Sequence, residues 1–248
     1  KPQPESLDTG AVRFALGYMF WKKDEYSSCA KTLAPFLDAV PLAENKSRDQ
    51  ALLMLGRSNQ KLKDHPHAIS ALQALMRGYP SFRGGEEAAV DLARSCYKAS
   101  DWKSLSRTYG DFVKRYPESD RRPFLDLYDA LGKLETGDPG GGTSKLRAIA
   151  KADTYEDVKA DAHFHLGRLL LTESPPQPKP AMIELTESVK LFPRAESLLE
   201  AGRCAAMLKD YEQARAILNQ VLREFPDAEP DILNRAEKEL KSAAAADA

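Results

Sequence analysis

The sequence predicts an all-α stack of helix pairs, and three observations carry that prediction. A small residue is followed by a proline at a fixed interval of 24 positions from Gly17 to Pro41, Gly56 to Pro80, Ala93 to Pro117 and Gly202 to Pro226, and of 26 from Gly167 to Pro193. Aligning these marks gives units at about 10–43, 49–82, 86–119, 125–159, 160–194 and 195–228, four of which close at 34 residues. Asp64, Asp101 and Asp210 recur where a second helix should begin, and a short carboxylate there accepts orphan amide hydrogens of a first turn. Self-similarity at fixed spacing means one supersecondary unit was copied, and such a unit cannot bury its apolar face alone.

Within each unit the first helix carries the small residue, a turn follows, and the second helix runs to the proline, which lacks the amide hydrogen needed to continue. The first unit carries Leu16-Gly17, Phe20, Tyr26 and Pro41, and the second Leu52, Leu55-Gly56, Ala68, Leu72 and Pro80. The third has Ala93 and Leu105 where the second and sixth have Gly and Ala. The fourth keeps Tyr128 and Leu131-Gly132, loses its proline, and places Gly140-Gly141-Gly142 in what reads as a flexible turn. The fifth keeps Leu166-Gly167 and Pro193 around an expanded Pro175-Pro176-Gln177-Pro178 turn. The sixth carries Leu198, Gly202, Tyr211, Ala214, Leu218 and Pro226. After it, Pro230 opens a capping helix over 230–241 with Ile232, Leu233, Ala236 and Leu240 on one face, and the tail from Ala243 is expected to fray.

These residues resemble the tetratricopeptide repeat family, in which a large residue, Leu-Gly, an aromatic, an Ala opening the second helix and a late Pro recur. The resemblance covers some nine tenths of the chain. It implies a single right-handed α-superhelix, or solenoid, of about six repeats, with a concave face lined by the first helices. Repeats ending in Tyr79-Pro80, Tyr116-Pro117, Phe192-Pro193 and Phe225-Pro226 further resemble bacterial cell-envelope members of that family.

Composition bounds the partners. The 248 residues carry 36 basic and 37 acidic side chains, a net charge of -1, so no global field draws the molecule to nucleic acid or an anionic membrane. No run approaches the roughly 18 apolar residues of a spanning helix. Cys29, Cys96 and Cys204 fall in three different units, an odd count too far apart to pair, and read as small core residues. Unpaired thiols favour a reducing compartment, whereas the envelope resemblance favours a periplasmic one. The first residue is Lys1 rather than Met, so an upstream segment is expected to have been removed, and a signal peptide or lipid anchor could have been lost with it.

The interval also serves as a ruler for one surface. The residue after each small one should point into the groove: Tyr18, Arg57, Arg94, Lys133, Arg168 and Arg203, five of six basic. A ladder of guanidinium groups suits carboxylate-bearing partner segments. The competing reading is internal pairing, because Asp91, Asp129 and Glu200 lie three or four residues before Arg94, Lys133 and Arg203. Four residues upstream run Phe14, Leu53, Val90, Asp129, Phe164 and Leu199, readable as an apolar groove wall or as core. Phe14, Tyr18 and Trp21 form an aromatic stripe at i, i+4 and i+7, which could anchor a partner or pack on an upstream segment.

The family's clamp for a C-terminal carboxylate needs Lys and Asn, and Phe14, Tyr18, Met54, Glu87 and Asp91 stand at its positions, so that use is rejected. Gly137 to Ser144 lacks the Gly-Lys-Ser/Thr of a phosphate loop, His65/His67 and His163/His165 have no third metal ligand, and no nucleophile elbow occurs. The expectation is a non-catalytic scaffold with no cofactor and no metal, binding a protein or peptide segment through Phe14, Tyr18, Trp21, Arg57, Arg94, Lys133, Arg168 and Arg203. Two other readings stand beside it: the targeting arm of an enzyme whose catalytic domain lies elsewhere, and a glycan or peptidoglycan-binding module.

Overall fold

The structure, a computed structural model, describes residues 9–38 and 47–246. Every regular element among them is helical. The helices are α1 (Thr9–Lys22), α2 (Tyr26–Leu33), α3 (Pro35–Asp38), α4 (Arg48–Lys61), α5 (His65–Gly78), α6 (Gly85–Lys98) and α7 (Trp102–Arg115). There follow α8 (Arg122–Glu135), α9 (Pro139–Lys151), α10 (Glu156–Thr172), α11 (Pro178–Leu191), α12 (Ala195–Met207), α13 (Tyr211–Glu224) and α14 (Pro230–Ala246). The chain divides into two compact units, Lys1–Gly132 and Lys133–Ala248.

The small residue of the lattice is what lets paired helices touch. A Cβ built on Gly56 would stand 2.7 Å from Leu72 Cγ, and one on Gly202 would stand 2.7 Å from Leu218 Cγ. Gly17 meets Leu33, and Gly167 meets Leu185 at 2.7 Å. The partner leucine thus follows its glycine by 16 residues in three repeats and by 18 in the fifth, where the expanded turn adds two.

The turn between paired helices is equally regular. Asp24, Lys63, Ser100, Gly137 and Lys209 hold φ between 55° and 89°, the left-handed region. Each is followed by the N-cap residue of the next helix. Asp64, Asp101 and Asp210 accept from the amides of His67, Ser104 and Gln213, and Asp138 does the same for Gly141. Four of these reversals therefore combine a left-handed residue with an aspartate cap, whereas Glu25, after Asp24, makes no side-chain cap bond, and the α10–α11 reversal is led into its second helix by Gln177 without one.

Three readings of the sequence change. Gly140, Gly141 and Gly142 are not a flexible turn but the first turn of α9, because Pro139 at the helix start and the Asp138 cap together nucleate it. The second helix of the first repeat breaks at Ala34, where Pro35 starts the short α3; Pro41 lies outside the described residues. Buried Arg48 donates to carbonyls of the short α3, with Nε 2.9 Å from Phe36 O and Nη2 3.3 Å from Leu37 O. Finally, α14 continues past 241 to Ala246, and Ala243 is buried with Ala205 and Ala214 instead of fraying.

The core of the first unit centres on Leu52, Leu72, Leu75, Leu92, Leu105, Phe112 and Leu125, and that of the second on Leu185, Leu198, Leu199, Leu218 and Val221. Cys29, Cys96 and Cys204 are free and fully buried, as small core residues should be.

Candidate functional site

In the first unit, α1, α4 and the start of α6 enclose a recess of about 560 Å³. Tyr18 and Trp21 line it from α1, Leu53 and Arg57 from α4, and Phe82 and Arg83 from the loop before α6. Tyr18 is 47% exposed, which is unusual for an aromatic side chain with a hydrophobic neighbourhood at hand. Lys22 lies 5.5 Å above its ring. Phe14, the third residue of the predicted stripe, stacks on Tyr18 at 6.5 Å and packs against the core beside Cys29, Leu33 and Leu55, so it supports the recess without lining it.

The five predicted basic residues differ in their partners. Arg57 Nε donates to Asp91 Oδ2 at 2.7 Å, one repeat further on, while Arg94 lies 4.0 Å from the same carboxylate and donates from Nε to Tyr128 Oη at 3.0 Å. Lys133 Nζ is 3.6 Å from Asp138 Oδ2, a residue of the following turn. Arg203 pairs with Glu200 at 2.7 Å, the spacing foreseen, and adds Glu239 at 3.3 Å. Arg168 makes no ion pair among the described residues and sits 5.6 Å from the Phe164 ring.

The second unit has its own recess, about 260 Å³, between α10, α12 and α14. Phe164, Leu171, Leu199 and Ile232 form its apolar part, and Arg168, Arg203 and Arg235 its cationic part. Glu200, 8% exposed, holds both Arg203 and Arg235 through its two oxygens, so a buried carboxylate orients two guanidinium groups while Arg168 stays available.

The predicted apolar row splits between its two readings. Val90 is a buried core residue, Leu199 is a buried core residue that also lines the second recess, and Leu53 and Phe164 are half-buried and reach the two recesses. Sequence reasoning missed Lys22, Phe82, Arg83 and Arg235. The ruler samples one position per first helix, so it could not reach a loop, a helix end or the cap, although Phe82-Arg83 follows Tyr79-Pro80 closely enough to have been flagged.

No group of three or more His, Cys, Asp or Glu side chains converges among the described residues. His163 Nδ1 contacts Glu184 Oε2 at 2.7 Å and His67 Nδ1 contacts Asp64 at 2.8 Å, so both histidines are engaged one to one. No helix is long and apolar enough to cross a membrane among the described residues.

The tetratricopeptide repeat profile matches residues 50–81 and 196–228, the second and sixth units of the lattice. No curated protein sequence matches the chain. Among solved structures, it is similar to the type IV pilus biogenesis factor PilW, with TM-score 0.61 and 15% identity over 96% of this chain and 100% of that one. It is also similar to a chain of the APC/C hetero-tetramer Cut9–Hcn1, with TM-score 0.63 and 15% identity over 94% of this chain. The Rap conjugation gene regulator of plasmid pLS20, solved with the Phr* peptide, gives TM-score 0.54 and 11% identity over 96% of this chain and 73% of that one. The chain spans 42% of its Cut9–Hcn1 counterpart. The fold is therefore the all-α tetratricopeptide architecture, and the resemblance includes a bacterial pilus-assembly protein.

Proposed function

We propose that this protein is a non-catalytic scaffold whose first-helix faces hold a partner segment carrying both apolar and acidic side chains, in the assembly of a bacterial envelope complex. The observation that carries the reading is the recess of the first unit. It sets Tyr18, Trp21 and Phe82 against Lys22, Arg57 and Arg83, an apolar anchor site beside an excess of cations. A partner's aromatic or aliphatic residue would fill the space between the rings, and its carboxylates would meet Lys22 and Arg83, neither of which makes an ion pair among the described residues. Arg57 is held by Asp91 and so serves as a fixed donor rather than a mobile one. In the second unit Arg168 would play the corresponding part over Phe164. Arg94, Lys133 and Arg203 are committed to side chains of the repeat itself and contribute field and rigidity. Preordered helices lose little entropy on binding.

Similarity to PilW supports the envelope setting, and Rap with its bound Phr* peptide is a protein of this fold with a peptide partner. The free cysteines do not oppose an oxidising compartment. Burial pushes the Cys96 thiol up to about 12 and that of Cys204 to about 11, which leaves almost no thiolate to react.

The test is a photo-crosslinking amino acid placed at Tyr18 in the native host. A crosslink to one envelope protein that disappears in the Lys22→Glu/Arg83→Glu variant supports the reading. A crosslink that persists undiminished in that folded variant removes the charge mechanism, and a purely cytosolic partner removes the envelope setting.

A further inference from the structure

A second kind of recess lies on the other helices of the first unit. Second helices α5 and α7, with α6 beneath them, enclose a cavity of about 180 Å³ that shares no residue with the recess of Tyr18 and Trp21. Its floor is Met76, Leu92 and Phe112, the last two buried at 4% and 2% exposure. Its rim carries Arg77, Arg107 and Arg115 against one carboxylate, Asp111.

None of these three arginines makes an ion pair among the described residues; Arg77 donates only within its own helix, from Nε to Gln73 O at 3.2 Å and from Nη2 to Gln73 Oε1 at 3.4 Å. Arg77 and Arg115 stand in the last turns of α5 and α7, where a cation complements the helix dipole. Arg107, in the middle of α7, has no such reason to be there. Asp111 lies four residues from both Arg107 and Arg115, the spacing of a helix ion pair, yet pairs with neither. Three guanidinium groups thus face solvent around an apolar hole, in a chain whose overall charge is -1.

The size of the hole selects the occupant. Small-molecule pockets run from roughly 300 Å³ upward, so 180 Å³ suits one large side chain rather than a cofactor. We infer that the α5–α7 cavity is a separate docking site for an acidic peptide segment that inserts one large aliphatic or aromatic side chain between Met76 and Phe112 and sets flanking carboxylates against Arg77, Arg107 and Arg115. The site stands apart from the proposed first-helix site, so either can fail without the other.

The probe is an acetylated, amidated peptide of sequence Glu-Asp-Leu-Glu-Asp, titrated into the isotope-labelled full chain at low salt and followed by amide chemical shifts. Shifts clustered on α5 and α7 are expected. They should weaken roughly tenfold or more in affinity with Arg107→Glu/Arg115→Glu, weaken similarly when the peptide's Leu is replaced by Ala, and persist in Lys22→Glu/Arg83→Glu. The neutral pair Arg107→Gln/Arg115→Gln, judged folded by circular dichroism, replaces the charge reversal if that variant does not fold. The inference is overturned if no shifts appear on α5 and α7, if they survive loss of the two arginines, if the Ala peptide binds equally well, or if a fatty acid such as decanoate displaces the peptide at equal concentration.

Discussion

Arg57 on α4 donates from Nε to Asp91 Oδ2 on α6 at 2.7 Å, joining two residues 34 apart in the chain. Neighbouring links reuse nearly the same offset: Gln60 Nε2 reaches Ser95 Oγ at 2.8 Å, Arg94 reaches Tyr128, and Arg235 reaches Glu200. The repeat length thus sets a polar register between successive first helices, alongside the apolar contact. Asp91→Ala should cost about 1–2 kcal/mol, a charge-assisted bond discounted for partial exposure. A fall in urea midpoint without change of slope would show it, and an unchanged midpoint would mean the pair is ornamental to stability. The same variant frees Arg57, so it should strengthen binding of any acidic segment at the Tyr18 recess.

Glycine packing gives a paired prediction. Gly110, inside α7, has nothing within 4 Å of a built Cβ, whereas Gly202 has Leu218 Cγ at 2.7 Å and Cδ2 at 2.8 Å. Gly110→Ala should stabilise by about 0.5–1 kcal/mol through helix propensity. Gly202→Ala gains the same propensity but must displace a leucine that is fully buried, and should destabilise by about 1–2 kcal/mol net. Thermal unfolding of both variants decides, and equal shifts would refute the close-approach account.

The left-handed turn residue offers a third. Lys209 sits at φ 63° with no side-chain reason to prefer it, just before the Asp210 cap. Lys209→Gly should stabilise by about 0.5–1 kcal/mol because glycine reaches that region without the Cβ penalty. Differential scanning calorimetry should show a raised midpoint; a lowered one would mean unfolded-chain entropy dominates.

A pH dependence follows from the α5 cap. Hydrogen bonding from His67, the largest cause, holds the Asp64 carboxyl below its usual range. A folded pKa below the unfolded one gives stability that is present above the unfolded value and lost as pH falls through the folded one. The gap in urea midpoint between the wild-type protein and Asp64→Asn should therefore be largest near pH 6 and shrink steadily below pH 4. A gap that stays constant from pH 6 to pH 3 would show the carboxylate charge to be irrelevant to the cap.

The sequence by itself determined the helix-pair repeat, because each mark is local: a glycine needed where its leucine packs 16 residues on, an aspartate needed where amide hydrogens are orphaned, a proline where a helix must stop. It also placed Arg57, Tyr18 and Trp21 beside one another, since the repeat interval converts chain position into surface position. Only the tertiary structure decided which charges are spent. Arg57 looks as free as Arg168 in sequence, and its partner lies a full repeat away, where helix spacing rules do not reach. The same holds for the glycines of α9, which composition reads as a loop and a capped, proline-started helix holds in place. Lys22, Phe82, Arg83 and the cavity rimmed by Arg77, Arg107 and Arg115 were beyond a ruler that samples one residue per first helix. A recess is made by side chains from several helices and loops converging, and that convergence is fixed by packing between repeats rather than by the pattern within one.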